Sequence, residues 1–236
     1  MRRSEDMTAA NGWTPVALGA SIEAGTSAGT QIDGFEIVVW RDKSGKAHVW
    51  EDRCPHRGMR MSFGFVRGDH IACLYHGWQY DTGGQCRYIP AHPDLEVPST
   101  IKIPSYAVAE RGGVIWTCLA ETAYASALPA VADDVTPIRS LYVDCPVDAI
   151  TALLPCLPVD GADVTVETLS SGAVLFTSGA VTLLIAGQSI APEKCALHLA
   201  AIGAVDASTR KRIAKWAENA RRAIEAAPAA PIAKVA

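Results

Sequence analysis

Cys54-Pro55-His56-Arg57-Gly58 and Cys73-Leu74-Tyr75-His76-Gly77-Trp78 decide how this chain is read. Each stretch carries one thiol and one imidazole, and 16 residues separate His56 from Cys73. Two thiolates and two imidazoles suit a tetrahedral zinc ion, or a [2Fe–2S] cluster whose cysteines hold one iron and histidines the other. Zinc loops keep like ligands together, whereas here each loop mixes the two kinds. The mixing favours the diiron cluster. Neutral imidazole carries less electron density than thiolate, so such a cluster accepts an electron more readily. Its potential falls at roughly −150 to +300 mV, against about −400 mV for an all-cysteine plant-type centre. The outer ring nitrogens stay available for a hydrogen bond to a partner.

Extended to Gln79-Tyr80-Asp81, the two stretches resemble the cluster loops of the Rieske non-haem iron oxygenases. The resemblance runs over roughly residues 12–120, through the apolar stretch at 37–41 and Ile89-Pro90-Ala91-His92-Pro93. It implies that Cys54 and Cys73 ligate a more buried iron and His56 and His76 a more exposed one. Arg57, Gly58, Gly77 and Trp78 then surround the cofactor, although Trp78 reads equally well as plain packing. Respiratory Rieske proteins carry an extra cysteine in each loop, and the matching places here are taken by Met59 and Tyr75. They also place a serine donor where this chain has Trp78. Fewer donors to the sulfurs predict a potential at the lower end of the range.

Composition narrows the class. A chain of 236 residues with 49% hydrophobic and 19% charged residues is a folded protein, and its net charge of −4 argues against nucleic acid as a partner. Two of the seven cysteines are claimed by the cluster; Cys86, Cys118, Cys145, Cys156 and Cys195 are scattered and read as buried small hydrophobes. The longest apolar run, at 180–186, is too short to span a membrane, which predicts a cytoplasmic protein without a membrane partner.

The expected fold is mainly β. An antiparallel-sheet Rieske domain at 12–120 is followed by a linker at 121–137 and a small α+β domain at 138–227 resembling a truncated helix-grip fold. Residues 1–11 and 228–236 read as disordered or mobile ends. Strands at 35–40 and 47–50 flank the turn Asp42-Lys43-Ser44-Gly45. Gly68-Asp69 and Asp81-Thr82-Gly83-Gly84 mark further turns, and Glu110-Arg111-Gly112-Gly113 separates strands at 101–109 and 114–119. Both ligand loops are thereby predicted at hairpin tips. Later strands are expected at 140–144, 163–169, 173–177, 181–186 and 194–202, with a short helix at 148–154. The closing helix has cap candidates in Asp206-Ala207-Ser208-Thr209 and apolar Ile213, Trp216, Ala217, Ala220 and Ile224 at helical spacing. Arg212, Lys215, Arg221 and Arg222 form its solvated face.

The resemblance also raises a deficit. An oxygenase of this family needs a mononuclear iron held by two histidines and a carboxylate, yet His198 is the sole histidine after residue 92. His198 reads as a satisfied core or edge histidine, and His48, His70 and His92 as structural. No catalytic residue is therefore assigned, and any oxidoreductase activity is that of one component. The resemblance implies an electron-transfer subunit of a heteromeric non-haem iron oxygenase, a demethylating one among the candidates. Its partners would be an oxygenase chain bearing the mononuclear iron and a flavin- or ferredoxin-type reductase. A partner carboxylate would face the outer nitrogen of His56 or His76. Two alternatives stand beside it. One is a self-contained oxygenase with an atypical site built from His198 and Asp160, Asp163 or Glu167. The other is a free-standing Rieske ferredoxin. Arg53, Arg57, Arg60 and Arg87 read either as a positive rim for an acidic reductase or as local partners of Asp52 and Asp81.

Overall fold

The computed structural model describes residues 12–120 and 127–227. The predicted disorder at 1–11, the first residues of the predicted linker at 121–126 and the mobile tail at 228–236 lie outside the described residues. The chain opens with β1 (Thr14–Leu18), β2 (Ser27–Ile32), β3 (Phe35–Arg41) and β4 (Ala47–Glu51). Four short strands follow, β5 (Phe65–Arg67), β6 (His70–Ala72), β7 (Gln79–Asp81) and β8 (Cys86–Tyr88), and then β9 (Ser105–Arg111) and β10 (Val114–Cys118). They form a six-stranded antiparallel sheet in the order β1-β10-β9-β4-β3-β2 and a four-stranded sheet β5-β6-β7-β8.

Turn chemistry explains much of this order. Arg111 pairs with Val114 across Gly112 and Gly113, both at positive φ (60° and 71°), which is the two-residue hairpin geometry that glycine adopts without strain. Asp42 closes the β3–β4 turn by accepting from the amides of Ser44 and Lys46. Two elements depart from expectation. The strand predicted at 101–109 begins at Ser105, because Ile101 and Ile103 belong to a loop whose amides bond to Pro98 and Gly84. β2, with the sequence Ser-Ala-Gly-Thr-Gln-Ile, has no apolar alternation to announce it and exists through its pairing with β3.

The ligand loops are not equivalent in topology. Residues 73–78 join β6 to β7 and cap a hairpin, as expected. The first loop does not: it leaves β4 in the six-stranded sheet and enters β5 in the four-stranded one. Sequence spacing alone did not reveal that the chain changes sheets there. Between the two sheets lies a core of Trp40, Trp50, Met61, Ile71, Tyr80, Cys86 and Ile103, into which Cys54 and Cys73 also project. Trp40 and Trp50 meet edge to face at 4.8 Å.

The second half contains β11 (Val135–Val143), α1 (Val147–Leu153), β12 (Val164–Thr168), β13 (Ala173–Ser178), β14 (Val181–Ala191), β15 (Lys194–Ile202) and α2 (Ala207–Ala226). The strands order β11-β15-β14-β13-β12, all antiparallel. Ile213, Ala217, Ala220 and Ile224 are the buried positions of α2, and Asp206 caps it by accepting from the Thr209 amide at 2.7 Å. Such a cap contributes about 1 kcal/mol. β14 runs five residues beyond the predicted end at 186, to Ala191. Its extension carries Gln188, a fully buried amide that donates to Thr30 Oγ1 (3.0 Å) and the Gln31 carbonyl (2.8 Å) of β2. The strand continues because it has a polar partner in the first half, a contact that hydrophobic periodicity does not encode.

The halves meet over a packed face. Leu18, Val114 and Trp116 of the six-stranded sheet insert against Ala173, Leu184, Ala186 and Ala200 of the five-stranded one. A Cβ on Gly112 would sit 2.6 Å from Leu184, so glycine is needed there for close approach as well as for its turn. Of the cysteines read as buried hydrophobes, Cys86, Cys118 and Cys195 are buried and Cys145 is half-buried. Cys156 is exposed, because the 3-10 turn Leu154–Cys156 buries Leu154 instead.

Candidate metal centre

The two ligand loops share one backbone frame. In the first, the Cys54 amide donates to the Met59 carbonyl (2.8 Å) and the Gly58 amide to the Cys54 carbonyl (2.8 Å). In the second, Cys73 donates to Trp78 and Gly77 to Cys73, each at 2.9 Å. Gly58 and Gly77 close the turns at φ +73° and +70°, where a side chain is strained. A Cβ on Gly77 would also press on Pro90 at 3.1 Å. Within this common frame the histidine stands two residues after the cysteine in one loop and three after it in the other. The offset places the two rings side by side, with centroids 4.6 Å apart.

Sulfur lies inside and imidazole outside. Cys54 and Cys73 are 2% and 3% exposed, whereas His56 is half-buried and His76 exposed. The Cys73 thiol donates to the Cys54 sulfur, which also receives the Tyr80 hydroxyl and the amides of His56 and Arg57. Together these bring Cys54 down to about 6 against the opposing effect of burial. Cys73, as the donor of the pair, is held up by Cys54 and by burial, while the amides of Tyr75 and His76 act to lower it. Each sulfur therefore sits in a nest of amide donors suited to a thiolate. Donors split into a sulfur pair and an imidazole pair are what two irons require, soft ligands for one and imidazoles for the other. Among the described residues, no three His, Cys, Asp or Glu side chains gather around one point as a single metal ion would need.

The surroundings bear on the two readings of Trp78, cofactor surround or plain packing. Trp78 stacks parallel on His56, with centroids 4.2 Å apart and planes 4° from coincidence, so its packing is directly against a candidate ligand. Tyr75 tilts against His76 at 3.9 Å. Tyr80 is a donor that the comparison of Trp78 with serine overlooked: its hydroxyl lies 3.1 Å from Cys54 Sγ, buried between the sheets. Its place two residues beyond Trp78 in the alternating strand β7 was the available signal. A donor to a cluster thiolate favours the more negative, reduced state. Tyr80→Phe should therefore lower the midpoint potential by roughly 60 mV, a hydrogen bond worth about 1.4 kcal/mol between the two redox states. A spectroelectrochemical titration reads this directly; an unchanged potential would show that the hydroxyl does not act on the sulfur.

The arginines divide as well. Arg60 pairs with Glu36, and Arg87 with Asp81 in a local bridge of the expected kind. Asp52 is engaged otherwise, accepting from the amide and hydroxyl of Ser62 at 2.7 and 2.6 Å. Arg57 is exposed on the first loop. A polar cavity of about 650 Å³ lined by Asp81, Gln85, Arg87, Glu96 and Lys102 opens at the end of β7 and β8 remote from the ligand loop, and holds none of the candidate ligands.

His198 is brought to none of these groups. It is 3% exposed in β15, its Nδ1 facing the Ser140 hydroxyl at 2.8 Å and its Nε2 the Gln188 amide oxygen at 3.0 Å. Because the Gln188 nitrogen is spent as donor to Thr30 and Gln31, its oxygen accepts. Nε2 thus carries the proton and Nδ1 accepts from Ser140. Burial lowers the ring to about 4. His48 is likewise structural, its Nε2 3.0 Å from Asp42 and its ring stacked on Trp40.

Two cysteines inside, two histidines outside and a shared loop frame across two small antiparallel sheets define a Rieske [2Fe–2S] domain, and residues 12–106 match the family model of that description. The protein is a relative of the Rieske oxygenases, with a Rieske-type [2Fe–2S] cluster as its cofactor. It is 30% identical over 207 residues to the oxidoreductase NdmD of Pseudomonas putida, a match covering 80% of this chain and 35% of that protein. It is 46% identical over 65 residues to the methylxanthine N1-demethylase NdmA of Pseudomonas putida, covering 28% of this chain and 18% of the other. The fold superposes on the structure of Pseudomonas putida CBB5 NdmA with a TM-score of 0.76 at 19% identity, over 99% of this chain and 87% of that one. The chain spans about a third of the length of NdmD. Among the described residues no helix is long and apolar enough to cross a membrane.

Proposed function

We propose that this chain is an electron-transfer component of a non-haem iron oxygenase system, receiving one electron at a time from a reductase and delivering it to a mononuclear iron held by a partner chain. Cys54 and Cys73 would hold one iron and His56 and His76 the other. The bound cluster supplies a reversible one-electron carrier. The protein's own groups bury the sulfurs, fix the imidazoles through Trp78 and the loop glycines, and leave the His76 edge open for approach. The observation that carries this reading is His198. It is the sole imidazole of the second half, and both its nitrogens are engaged inside the core. A facial triad needs two imidazoles. Asp160 instead pairs with Arg212, and Asp163 and Glu167 are exposed beside and on β12, which β13 and β14 separate from the strand of the buried ring. On this reading residues 138–227 serve assembly. The demethylase named among the relatives supports a demethylating system, and five cysteines beyond the two candidate ligands, none in a disulfide, suit a reducing compartment such as the cytoplasm.

Metal and sulfide analysis of the reconstituted chain tests it. Two irons and two sulfides per chain, broad visible bands and no substrate oxidation by the chain with reductant and air are expected. A colourless zinc protein overturns the cluster assignment. A third iron accompanied by oxidation of a methylated substrate by the lone chain overturns the division of labour in favour of a self-contained oxygenase.

A further inference from the structure

Among the described residues, seven large apolar side chains stand out in solvent, and six of them fall between residues 63 and 95. Their placement is ordered. Phe65 on β5 pairs with Ala72 on β6, Ala72 with Gln79 on β7, and Gln79 with Tyr88 on β8. Direct cross-strand partners share a face, so these four form one row across the four-stranded sheet, at the end from which the second ligand loop springs. The neighbouring row, Val66, Ile71, Tyr80 and Cys86, faces the core. The outer row therefore presents two exposed rings, Phe65 at 50% and Tyr88 at 38%, on the sheet that carries the second ligand loop. Exposed apolar patches of this kind mark interaction sites.

Charge specifies the partner. Residues 53–80 hold four arginines and a single acid, Asp69, in a chain whose net charge is −4. Arg67 lies over the Phe65 ring at 5.5 Å and Arg60 over Phe63 at 6.0 Å. Arg60 is already paired with Glu36, which leaves Arg67 over the Phe65 ring to meet a partner's carboxylate: a guanidinium is weakly hydrated, and Arg with aromatic residues is the composition of interface centres. We propose that this outer face of the four-stranded sheet docks the electron donor, an electron-carrier protein whose own face sets carboxylates around an apolar centre. The proposal rests on the electron-transfer reading above, with the imidazole edge left to the acceptor. In the step itself one electron leaves the reduced donor, which is oxidised, and reduces the diiron centre by one. No bond is made or broken.

The test is stopped-flow reduction of the cluster-loaded full chain by a pre-reduced plant-type ferredoxin, used as an acidic probe. Arg67→Glu should slow the bimolecular rate about tenfold at low ionic strength, with the deficit shrinking as salt is added. Phe65→Ser should slow it severalfold at all salt concentrations. Tyr142→Ser, at the other exposed ring, which lies on β11, should leave the rate unchanged. Midpoint potentials and reduction by dithionite should be the same in all three, which separates docking from damage to the cluster. The docking face is overturned if Arg67→Glu and Phe65→Ser react like the parent, if Tyr142→Ser slows as much as they do, or if salt accelerates the parent reaction. A parent cluster that dithionite reduces but that accepts no electron from the protein probe also overturns it. Absence of a dithionite-reducible cluster is a different result, and it overturns the electron-transfer reading itself.

Discussion

Cys73→Ser is expected to give a colourless chain that retains almost none of its iron, while Cys86→Ser keeps its colour and both irons. The pair is informative because both thiols are buried within the same core, at 3% and 1% exposure. Cys73 contacts the Cys54 sulfur, which with burial holds its thiol up, and lies under the amides of Tyr75 and His76, which act to lower it. Cys86 lies outside the ligand loops and points instead at the Tyr88 carbonyl, 3.8 Å away. A serine hydroxyl is harder and far less acidic than a thiol, and iron–sulfur chemistry depends on the thiolate. Iron content, acid-labile sulfide and the visible spectrum report the outcome. Equal loss in both variants would mean that core integrity rather than ligation holds the cluster, and retention of two irons in Cys73→Ser would remove Cys73 from the ligand set.

The second large effect is on stability and its pH dependence. His198 folds with a pKa of about 4, depressed by burial, against roughly 6.5 in an unfolded chain. The fold therefore requires the neutral ring. The associated stability is complete above about pH 6.5 and is lost progressively as pH falls toward 4, in total about 3 kcal/mol at 1.36 kcal/mol per unit. His198→Leu leaves the Ser140 hydroxyl and the Gln188 oxygen without a buried partner, a loss of about 2–3 kcal/mol at neutral pH. It also removes the group that titrates. The stability gap between parent and variant, from urea unfolding at several pH values, should accordingly be widest near pH 7.5 and narrow toward pH 4.5. Asp42, held at about 2 by Ser44, His48 and Lys46 against its burial, titrates below this window in both chains. A gap that stayed constant with pH would mean that His198 takes up a proton as readily in the folded protein as in the unfolded chain, contrary to the buried, neutral role assigned to it.

The residues that were legible are those whose chemistry is local. The mixed Cys and His loops announce the cofactor through ligand type and spacing. The β3–β4 hairpin is announced by Asp42 to Gly45, and α2 by an acid cap followed by apolar residues every three or four positions. What escaped depends on groups distant in sequence. The first ligand loop crosses between sheets because β5 pairs with β6 rather than β4. The extended end of β14 is held by Gln188 reaching a strand some 150 residues earlier, 158 in the case of Thr30. Tyr80 reads as one more apolar position of an alternating strand until the fold sets its hydroxyl against Cys54. His198 shows the converse: a single polar residue in an apolar run is correctly read as core, yet its two partners come from β11 and β14 and become evident only through pairing.

The parallel seating of Trp78 on His56 has a kinetic consequence. An electron moves fastest when the nuclei around the redox centre scarcely shift between its two states. A ring pressed flat against an indole 4.2 Å away has little freedom to rotate, and the turn closed by Gly58 tethers its backbone from behind. If the chain carries electrons as proposed, the reorganisation at His56 on each hop would thereby be kept small before any partner arrives.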